Sequence, residues 1–358
     1  MKPTTNKRTT NKRLWGATVS LAAMLTVAGC STAGVETIEA GSVLTDSAEN
    51  DFAPSVVVTT TILGSVVSDI ATCAVGDDSS VTVLMPLGAD PHDFQASSAQ
   101  VAQMAKADLI VANGLGLEEG MMDAIENIEA DGGPVMEIAS LLDPLPLGYA
   151  DEHAEDDHAE DDHADQDHSA EEDAAEEEAH DHGDFDPHFW FDMERMAVAA
   201  ELIGAALAGN GDVTFASCGE NVAAEIRATE VLVADALSSV LEANRVLVTD
   251  HDALGYLAER YDYDVVGVAI PGGSTLGDAN SSDLADLVAT IQDEGVRAIF
   301  GNTAGSPALL ETLADEVGGS IQVVELFVGS VGGPGSGAES YAEMMTTNAT
   351  RIASALAD

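Results

Sequence analysis

Short β-branched runs alternate with helical stretches in two separate series along this chain of 358 residues. Each series predicts four strands joined by helical stretches. Parallel strands need such crossover connections, so the alternation is typical of a parallel sheet covered by helices. The sequence therefore predicts an α/β fold of two lobes, each built around a central parallel sheet.

The predicted strands follow the hydrophobic pattern of the chain. They lie at residues 55–60, 81–85, 108–112 and 135–138 in the first series, and at 245–249, 265–269, 298–300 and 322–327 in the second. Between the two series, residues 193–207 and 216–241 show helical periodicity without a proline. A helix as long as the second of these can bridge two lobes.

The first thirty residues have the composition of an export signal. A basic block precedes an apolar run at residues 14–28, and the tetrapeptide VAGC that ends at Cys30 resembles the lipobox of bacterial lipoproteins. We expect residues 1–29 to be a lipoprotein signal peptide and Cys30 to be lipidated after cleavage. The alternatives are an ordinary signal peptide or an uncleaved anchor, although so short an apolar run spans a bilayer poorly.

Changes in composition divide the rest of the chain. We expect a flexible tether at residues 30–54, an N-terminal α/β lobe at 55–212, a linking helix at 213–243 and a C-terminal α/β lobe at 244–358. Within the first lobe the hydrophobic pattern disappears at residues 151–184. A segment of this kind cannot bury enough apolar surface to offset the entropy lost on ordering, so we predict a disordered acidic loop there.

The acidic loop is also rich in histidine. A five-residue repeat spaces the first four of its imidazoles equally, and the full set is His153, His158, His163, His168, His180 and His182. Histidine-rich tracts are associated with metal binding, so we interpret the loop as an auxiliary site that binds metal weakly and raises its local concentration. The alternative is a solvated insertion that has no metal role.

The formal net charge of −52 excludes one class of partner. A polyanion repels such a protein, and no basic stripe is available to displace counterions, so we expect no binding to nucleic acid. Metal cations, by contrast, are attracted.

Two cysteines remain besides Cys30. An exported chain with two thiols in an oxidising compartment often pairs them, which favours a disulfide between Cys73 and Cys218. The alternative is a pair of buried free thiols, which pack as small apolar residues. The sequence leaves both alternatives open.

Outside the acidic loop the chain has three histidines, and each lies in a predicted loop: His92 in GADPH, His188 in DPHFW and His251 in TDHD. Imidazole is the commonest neutral nitrogen ligand for Zn(II), and loops at the carboxyl ends of parallel strands can bring separate ligands together. Any one such histidine, taken alone, is more often an ordinary polar residue. The three together predict a metal site.

Each of these histidines has an acidic neighbour. Asp93, Asp192 and Asp252 are near enough in sequence to accept the second ring N–H, as carboxylates commonly do beside metal-bound imidazoles.

Several longer strings carry a resemblance to a known family. They are GADPHDFQAS at residues 88–97, ADLIVANGLGLE at 107–118, DPHFWFD at 186–192, TDHDALGYLAERY at 249–261 and SYAEMMTTNATRIASAL at 340–356. These strings are similar to those of the zinc- and manganese-binding lipoproteins of ABC transporters, over essentially the whole chain from Val56 onward. The resemblance implies that a single long rigid helix joins the lobes and that the metal lies in the cleft between them.

The resemblance also implies a ligand set. His92 and His188 match the two ligands of the first lobe, and His251 matches a ligand of the second lobe. Where the family usually has a carboxylate ligand, this chain has Gly329, which offers no donor. The fourth position is then open to water, to a nearby carboxylate such as Glu325, or to a histidine of the acidic loop. Three imidazoles favour tetrahedral Zn(II) over Mn(II), which prefers more oxygen ligands.

These observations predict an extracytoplasmic solute-binding lipoprotein that captures Zn(II) and delivers it to the permease of an ABC transporter. We expect a monomer, held by its lipid on the outer face of the cell membrane, or on the periplasmic side in a host with two membranes. One alternative is a receptor or adhesin that binds Mn(II). Another is an exported zinc hydrolase, but that activity needs a general base beside a metal-bound water, and no HExxH motif or comparable acid/base pair is evident.

Overall fold

The computed structural model of the chain describes residues 54–76, 79–148, 185–209, 213–318 and 321–357. The predicted signal peptide, Cys30, most of the tether and the acidic loop at residues 151–184 lie outside the described residues.

The N-terminal lobe contains a four-stranded parallel sheet with the strand order β2-β1-β3-β4. Its main elements are β1 (Ser55–Val58), α1 (Thr61–Val75), β2 (Ser80–Val83), α2 (Ser98–Met104), β3 (Leu109–Ala112), α3 (Met122–Ala130) and β4 (Val135–Glu137). The two central strands are the most apolar, and Val58 and Ile110 are fully buried. Central strands of a parallel sheet are covered by helices on both faces, which explains their continuous hydrophobic runs.

The C-terminal lobe repeats this plan with the strand order β6-β5-β7-β8, again all parallel. Its main elements are β5 (Val246–Thr249), α6 (Gly255–Tyr261), β6 (Asp264–Val268), α7 (Ser281–Glu294), β7 (Ala298–Asn302), α8 (Ala308–Val317), β8 (Gln322–Leu326) and α9 (Tyr341–Leu356). The two-lobe α/β architecture that the sequence predicts is thus confirmed. No helix within the described ranges is both long and apolar enough to cross a membrane.

Two long helices lie between the sheets in the chain, α4 (Met193–Gly209) and α5 (Thr214–Ser238). Their backbones approach closely at a pair of glycines. A Cβ added to Gly204 would lie 2.8 Å from the Cα of Gly219, and one added to Gly219 would lie 2.6 Å from the carbonyl oxygen of Ala200. Side chains larger than hydrogen are therefore excluded from this crossing.

The lobes share one hydrophobic core. A continuous cluster of buried side chains includes Val58 of the first sheet, Trp190, Val233 of α5, Leu326 of the second sheet and Ile352 of α9. The last helix, α9, packs against both α5 and α1. A wide opening of the lobes would expose this apolar surface to water, which opposes a large hinge motion.

A covalent link strengthens the same region. The structure joins Cys73 on α1 to Cys218 on α5 by a disulfide, with an S–S distance of 2.05 Å and a Cα–Cα distance of 5.7 Å. Of the two alternatives that the sequence leaves open, the structure therefore has the paired thiols. The disulfide therefore fixes α5 to α1, a helix that covers the sheet of the N-terminal lobe.

The glycine crossing generates a test. Replacing Gly204 by Ala should reduce the free energy of unfolding by about 1–3 kcal/mol, because the added methyl group forces the two backbones apart. The matched control is Gly209→Ala at the end of the same helix, where an added Cβ meets no atom within 4 Å. Chemical denaturation should show that the control is at least as stable as the wild type; equal losses in both variants would contradict the close crossing.

Candidate metal centre

The structure brings the three predicted histidines together. The ring centroids of His92, His188 and His251 lie 5.1 to 5.6 Å apart, and all three side chains are almost fully buried. One potential ligand atom from each lies within 4.8 Å of the others. The Nε2 atoms of His188 and His251 are 3.3 Å apart. Three nitrogen lone pairs therefore converge on a volume of the size that one ion occupies.

The parallel sheets explain why His92 and His251 meet. His251 follows β5, a central strand of the second sheet, and its loop is held where the Thr249 hydroxyl donates to the carbonyl oxygen of His251 at 2.6 Å. His92 lies in the loop between β2 and α2. Loops at the carboxyl ends of parallel strands converge, and here the loops of two sheets face each other.

Carboxylates orient two of the imidazoles through Nδ1. Asp186 Oδ1 lies 2.8 Å from Nδ1 of His188, and Asp250 Oδ1 lies 2.9 Å from Nδ1 of His251. Each of these oxygens also accepts the backbone N–H of the same histidine. With Nδ1 held in this way, Nε2 is the nitrogen that faces the centre of the site.

The acidic neighbours named from the sequence do not have this role. Asp93 is exposed, Asp192 accepts from the backbone at the start of α4 and pairs with Arg195, and Asp252 accepts the backbone N–H of Gly148. The sequence showed only that these carboxylates could accept the ring N–H groups, and in the structure Asp186 and Asp250 lie at Nδ1 of His188 and His251 instead. For His188 and His251 the orienting carboxylate lies two residues and one residue before the histidine, where a short turn lets it reach both the backbone and the ring.

His92 is the exception among the three. Its Nδ1 faces Glu119 Oε1 at 3.4 Å, which is longer than a full hydrogen bond, and neither ring nitrogen has a hydrogen-bond partner among the described residues. An unsatisfied polar group in such a buried position costs about 1–3 kcal/mol. Coordination of a metal ion would satisfy the free nitrogen, so the residue fits a ligand role.

Burial keeps these imidazoles in the form that binds metals. Burial, followed by the neighbouring imidazoles of His188 and His251, lowers the pKa of His92 to about 3. Burial also holds the pKa of His188 well below its ordinary value. Both side chains are therefore neutral near pH 7, with a lone pair available.

The two orienting carboxylates differ in their charge. Burial raises the pKa of Asp186 to about 7. For Asp250, burial alone would raise the pKa, but the hydrogen bond and charge of His251 and the backbone N–H of Asn302 together lower it. Asp186 is thus the carboxylate near the site that can hold a proton in mildly acidic solution.

The fourth ligand suggested from the sequence is not beside the imidazoles. Glu325 lies on β8 with its side chain exposed, whereas the next residue, Leu326, is fully buried. Successive side chains of a strand point to opposite faces, and Glu325 faces outward. The expectation that Glu325 supplies a ligand is therefore corrected.

Gly329 cannot be replaced by a larger residue without movement of a ligand loop. A Cβ at this position would lie 2.6 Å from Cδ of Pro91, the residue before His92. Together with the position of Glu325, this packing leaves the three imidazole nitrogens as the candidate ligands in the described part of the chain.

Aromatic side chains close one side of the site. The ring of Trp190 lies 5.2 Å from that of His188, and its indole N–H donates to the carbonyl oxygen of Val328 at 3.0 Å. Tyr341 of α9 in turn donates its hydroxyl to the carbonyl oxygen of Trp190 at 2.7 Å. These bonds tie the His188 segment to the second lobe and exclude water.

A buried glutamate that the sequence did not single out supports the same segment. Glu118 accepts the Thr59 hydroxyl at 2.6 Å and the backbone N–H groups of Asn113 and Gly114 at 2.7 and 3.1 Å. Burial raises the pKa of Glu118. Asn113 donates its side-chain N–H to the carbonyl oxygen of Pro187, next to His188, at 3.0 Å. The NGLGLE string contains both residues, but only the fold shows their role.

The remaining predicted site residues, Cys30 and the six histidines of the acidic loop, lie outside the described residues.

The fold and the buried imidazoles define a two-lobed receptor for a small cation. Residues 56–355 match the family described as ZnuA, the periplasmic component A of the zinc-uptake complex, and the chain belongs to this family. Members of the family are metal-binding receptors of ABC transporters for zinc or manganese uptake, and they are not enzymes. The hydrolase alternative is thereby excluded.

Two relatives illustrate the family's range. The chain is 26% identical over 335 residues to the manganese-binding lipoprotein MntA of Halalkalibacterium halodurans, covering 93% of this chain and 95% of that one. It is 28% identical over 314 residues to the zinc-binding protein TroA of Treponema pallidum, covering 86% and 90%. The solved structure of the periplasmic TroA superposes with a TM-score of 0.69 at 26% identity, covering 86% of this chain and all of that one.

The buried glutamate can be tested without any metal. Replacing Glu118 by Gln puts an amide N–H where an oxygen now accepts a backbone donor, so unfolding should become easier by about 1–3 kcal/mol. Denaturation of the metal-free protein measures this, with Glu126→Gln, at an exposed position of α3, as the matched control. An unchanged midpoint for Glu118→Gln would contradict the three-donor arrangement.

Proposed function

We propose that this chain captures Zn(II) outside the cell and delivers it to the permease of an ABC transporter. The ion is held by Nε2 of His188 and His251 and by the nitrogen of His92 that faces them. One observation supports this above the others. Three buried nitrogen ligands converge within reach of one ion, and no carboxylate of the described residues joins their group.

The ligand set favours zinc over manganese. Three imidazoles with an open fourth position suit tetrahedral Zn(II), whereas Mn(II) prefers a larger shell of oxygen ligands. Water or a histidine of the acidic loop completes the set, since Gly329 offers no donor. The relatives do not decide the metal, because one is described as manganese-binding and the other as zinc-binding. A manganese receptor is therefore the second candidate.

The fold suggests how the ion is released. The lobes share a hydrophobic core, and a disulfide fixes α5 to the helix layer of the first lobe, so the site does not open through a wide hinge. We infer that contact with the permease moves the ligand loops by a small amount. The lipid at Cys30 holds a monomer of the receptor on the outer face of the membrane, and the acidic loop collects zinc nearby.

Metal identity is measured directly by native mass spectrometry with elemental analysis of protein purified without added metal. One zinc per chain is the expected result. One manganese per chain would favour the manganese receptor instead. If the protein contained neither metal and bound neither on titration, the receptor proposal would be wrong.

The three histidines should act as one site. Replacing His92, His188 or His251 singly with Ala should weaken Zn(II) binding by more than the roughly 10–100-fold that loss of an outer partner typically causes, because each change removes a ligand. Chelator competition measures the affinity. The control is a variant without residues 153–182, which should retain the tight site; a histidine whose replacement leaves the affinity unchanged is not a ligand.

Proton release should identify the charge state of Asp186. Its raised pKa means that the carboxyl holds a proton at pH 6, and an ion bound at His188 should expel it. At pH 6 the wild type should therefore release about one more proton per zinc than Asp186→Asn, and the difference should vanish above about pH 8. Calorimetry in buffers of different ionisation enthalpy counts these protons; equal counts at pH 6 would show that Asp186 is already ionised.

A further inference from the structure

A cavity of about 350 Å³ leads from the surface to His92. Leu115, Gly116 and Glu119 line one side, and the segment 271–277 of the second lobe, which we term the cover loop, lines the other. Glu119 and His92 are the ionisable side chains in this lining. An ion that enters through this cavity passes Glu119 before it meets an imidazole.

Glu119 contacts both the ligand and the cover loop. Its Oε1 lies 3.4 Å from Nδ1 of His92 and also accepts the hydroxyl of Ser274. Beside this contact, the Thr275 hydroxyl donates to Asp90 at 2.7 Å. The cover loop is thus attached to the first lobe by the hydroxyl groups of Ser274 and Thr275. The carboxylate that accepts from Ser274 also faces His92.

The other two imidazoles show what Glu119 can do. His188 and His251 each have a carboxylate at Nδ1, and that carboxylate comes from their own short turn. For His92, Glu119 is the carboxylate facing Nδ1, but it comes from a different segment and its side chain is 22% exposed. The orientation of His92 therefore depends on a residue that can move with the cavity wall.

We propose that Glu119 is a positioning residue that couples retention of the ion to closure of the cover loop, an inference that rests on the function proposed above. When the ion binds His92, the Nδ1–H group donates to Glu119, and the present distance needs to shorten by only about 0.3 Å to reach the ordinary range. Ser274 holds the same carboxylate in place. Departure of the ion through the cavity requires the Ser274 contact to break.

The test uses the full chain loaded with Zn(II) alone. Glu119→Ala and Glu119→Gln should each weaken the affinity by roughly 10–100-fold, mainly through faster release of zinc to excess chelator in stopped-flow measurements. Ser274→Ala should also speed release, by a smaller factor. Glu126→Gln is the matched control and should behave as the wild type.

A double variant tests the coupling itself. If Ser274 acts through Glu119, the variant Glu119→Ala with Ser274→Ala should release zinc at the rate of Glu119→Ala alone. The visible spectrum of the Co(II)-loaded protein should change in Glu119→Ala, where the His92 ring is no longer held, and recover towards the wild type in Glu119→Asp. Metal-free stability should be equal in all these variants, because Glu119 lies at the surface of the cavity.

Release rates and affinities of Glu119→Ala and Glu119→Gln within twofold of the wild type would overturn the positioning role. A Ser274→Ala effect that persists in full in the double variant would overturn the coupling. If the wild type binds neither Zn(II) nor Mn(II), the proposed function itself is wrong. A metal titration of the wild type therefore distinguishes failure of the proposed function from failure of the role proposed for Glu119.

Discussion

The structure depends on the burial of three imidazoles that face one another. A buried neutral ring is stabilised when its N–H meets an acceptor and its other nitrogen stays available, and carboxylates meet this need for two of the three rings. Asp186 and Asp250 each accept a ring N–H and a backbone N–H from the same histidine. These two acidic groups orient imidazole rings, and the imidazoles supply the nitrogen lone pairs.

The scaffold around the site resists deformation. The glycine crossing joins α4 closely to α5, the disulfide fixes α5 to α1, and the shared hydrophobic core includes side chains of both sheets. The imidazoles converge in this scaffold without an ion, and a site that is already assembled loses little conformational entropy when it binds one. The same rigidity leaves the loops around the site as the parts that can respond to a membrane partner.

Charge and packing act at different distances. The net charge of −52 attracts cations over the whole surface, with little discrimination between metals. The packing of Gly329 against Pro91 and the exposed position of Glu325 act at short range, because they leave three imidazoles as the group of donors that converge in the cleft. Relatives described as manganese-binding and as zinc-binding are both similar to this chain, so the fold by itself does not specify the metal.

The sequence by itself determined the two parallel sheets, the long helix α5 and the identity of the three histidines, because strand and helix periodicity and the DPH strings are local patterns. The pairing of Cys73 with Cys218, the choice of Asp186 and Asp250 over Asp192 and Asp252, and the outward direction of Glu325 were decided only by the tertiary structure. Each of these depends on which segments meet and how a turn aims its side chains, and residues far apart in sequence control both. Periodicity indicates the face of an element on which a residue lies. The choice of a hydrogen-bond partner depends on differences in distance of a few tenths of an ångström, which are set only when the lobes have packed.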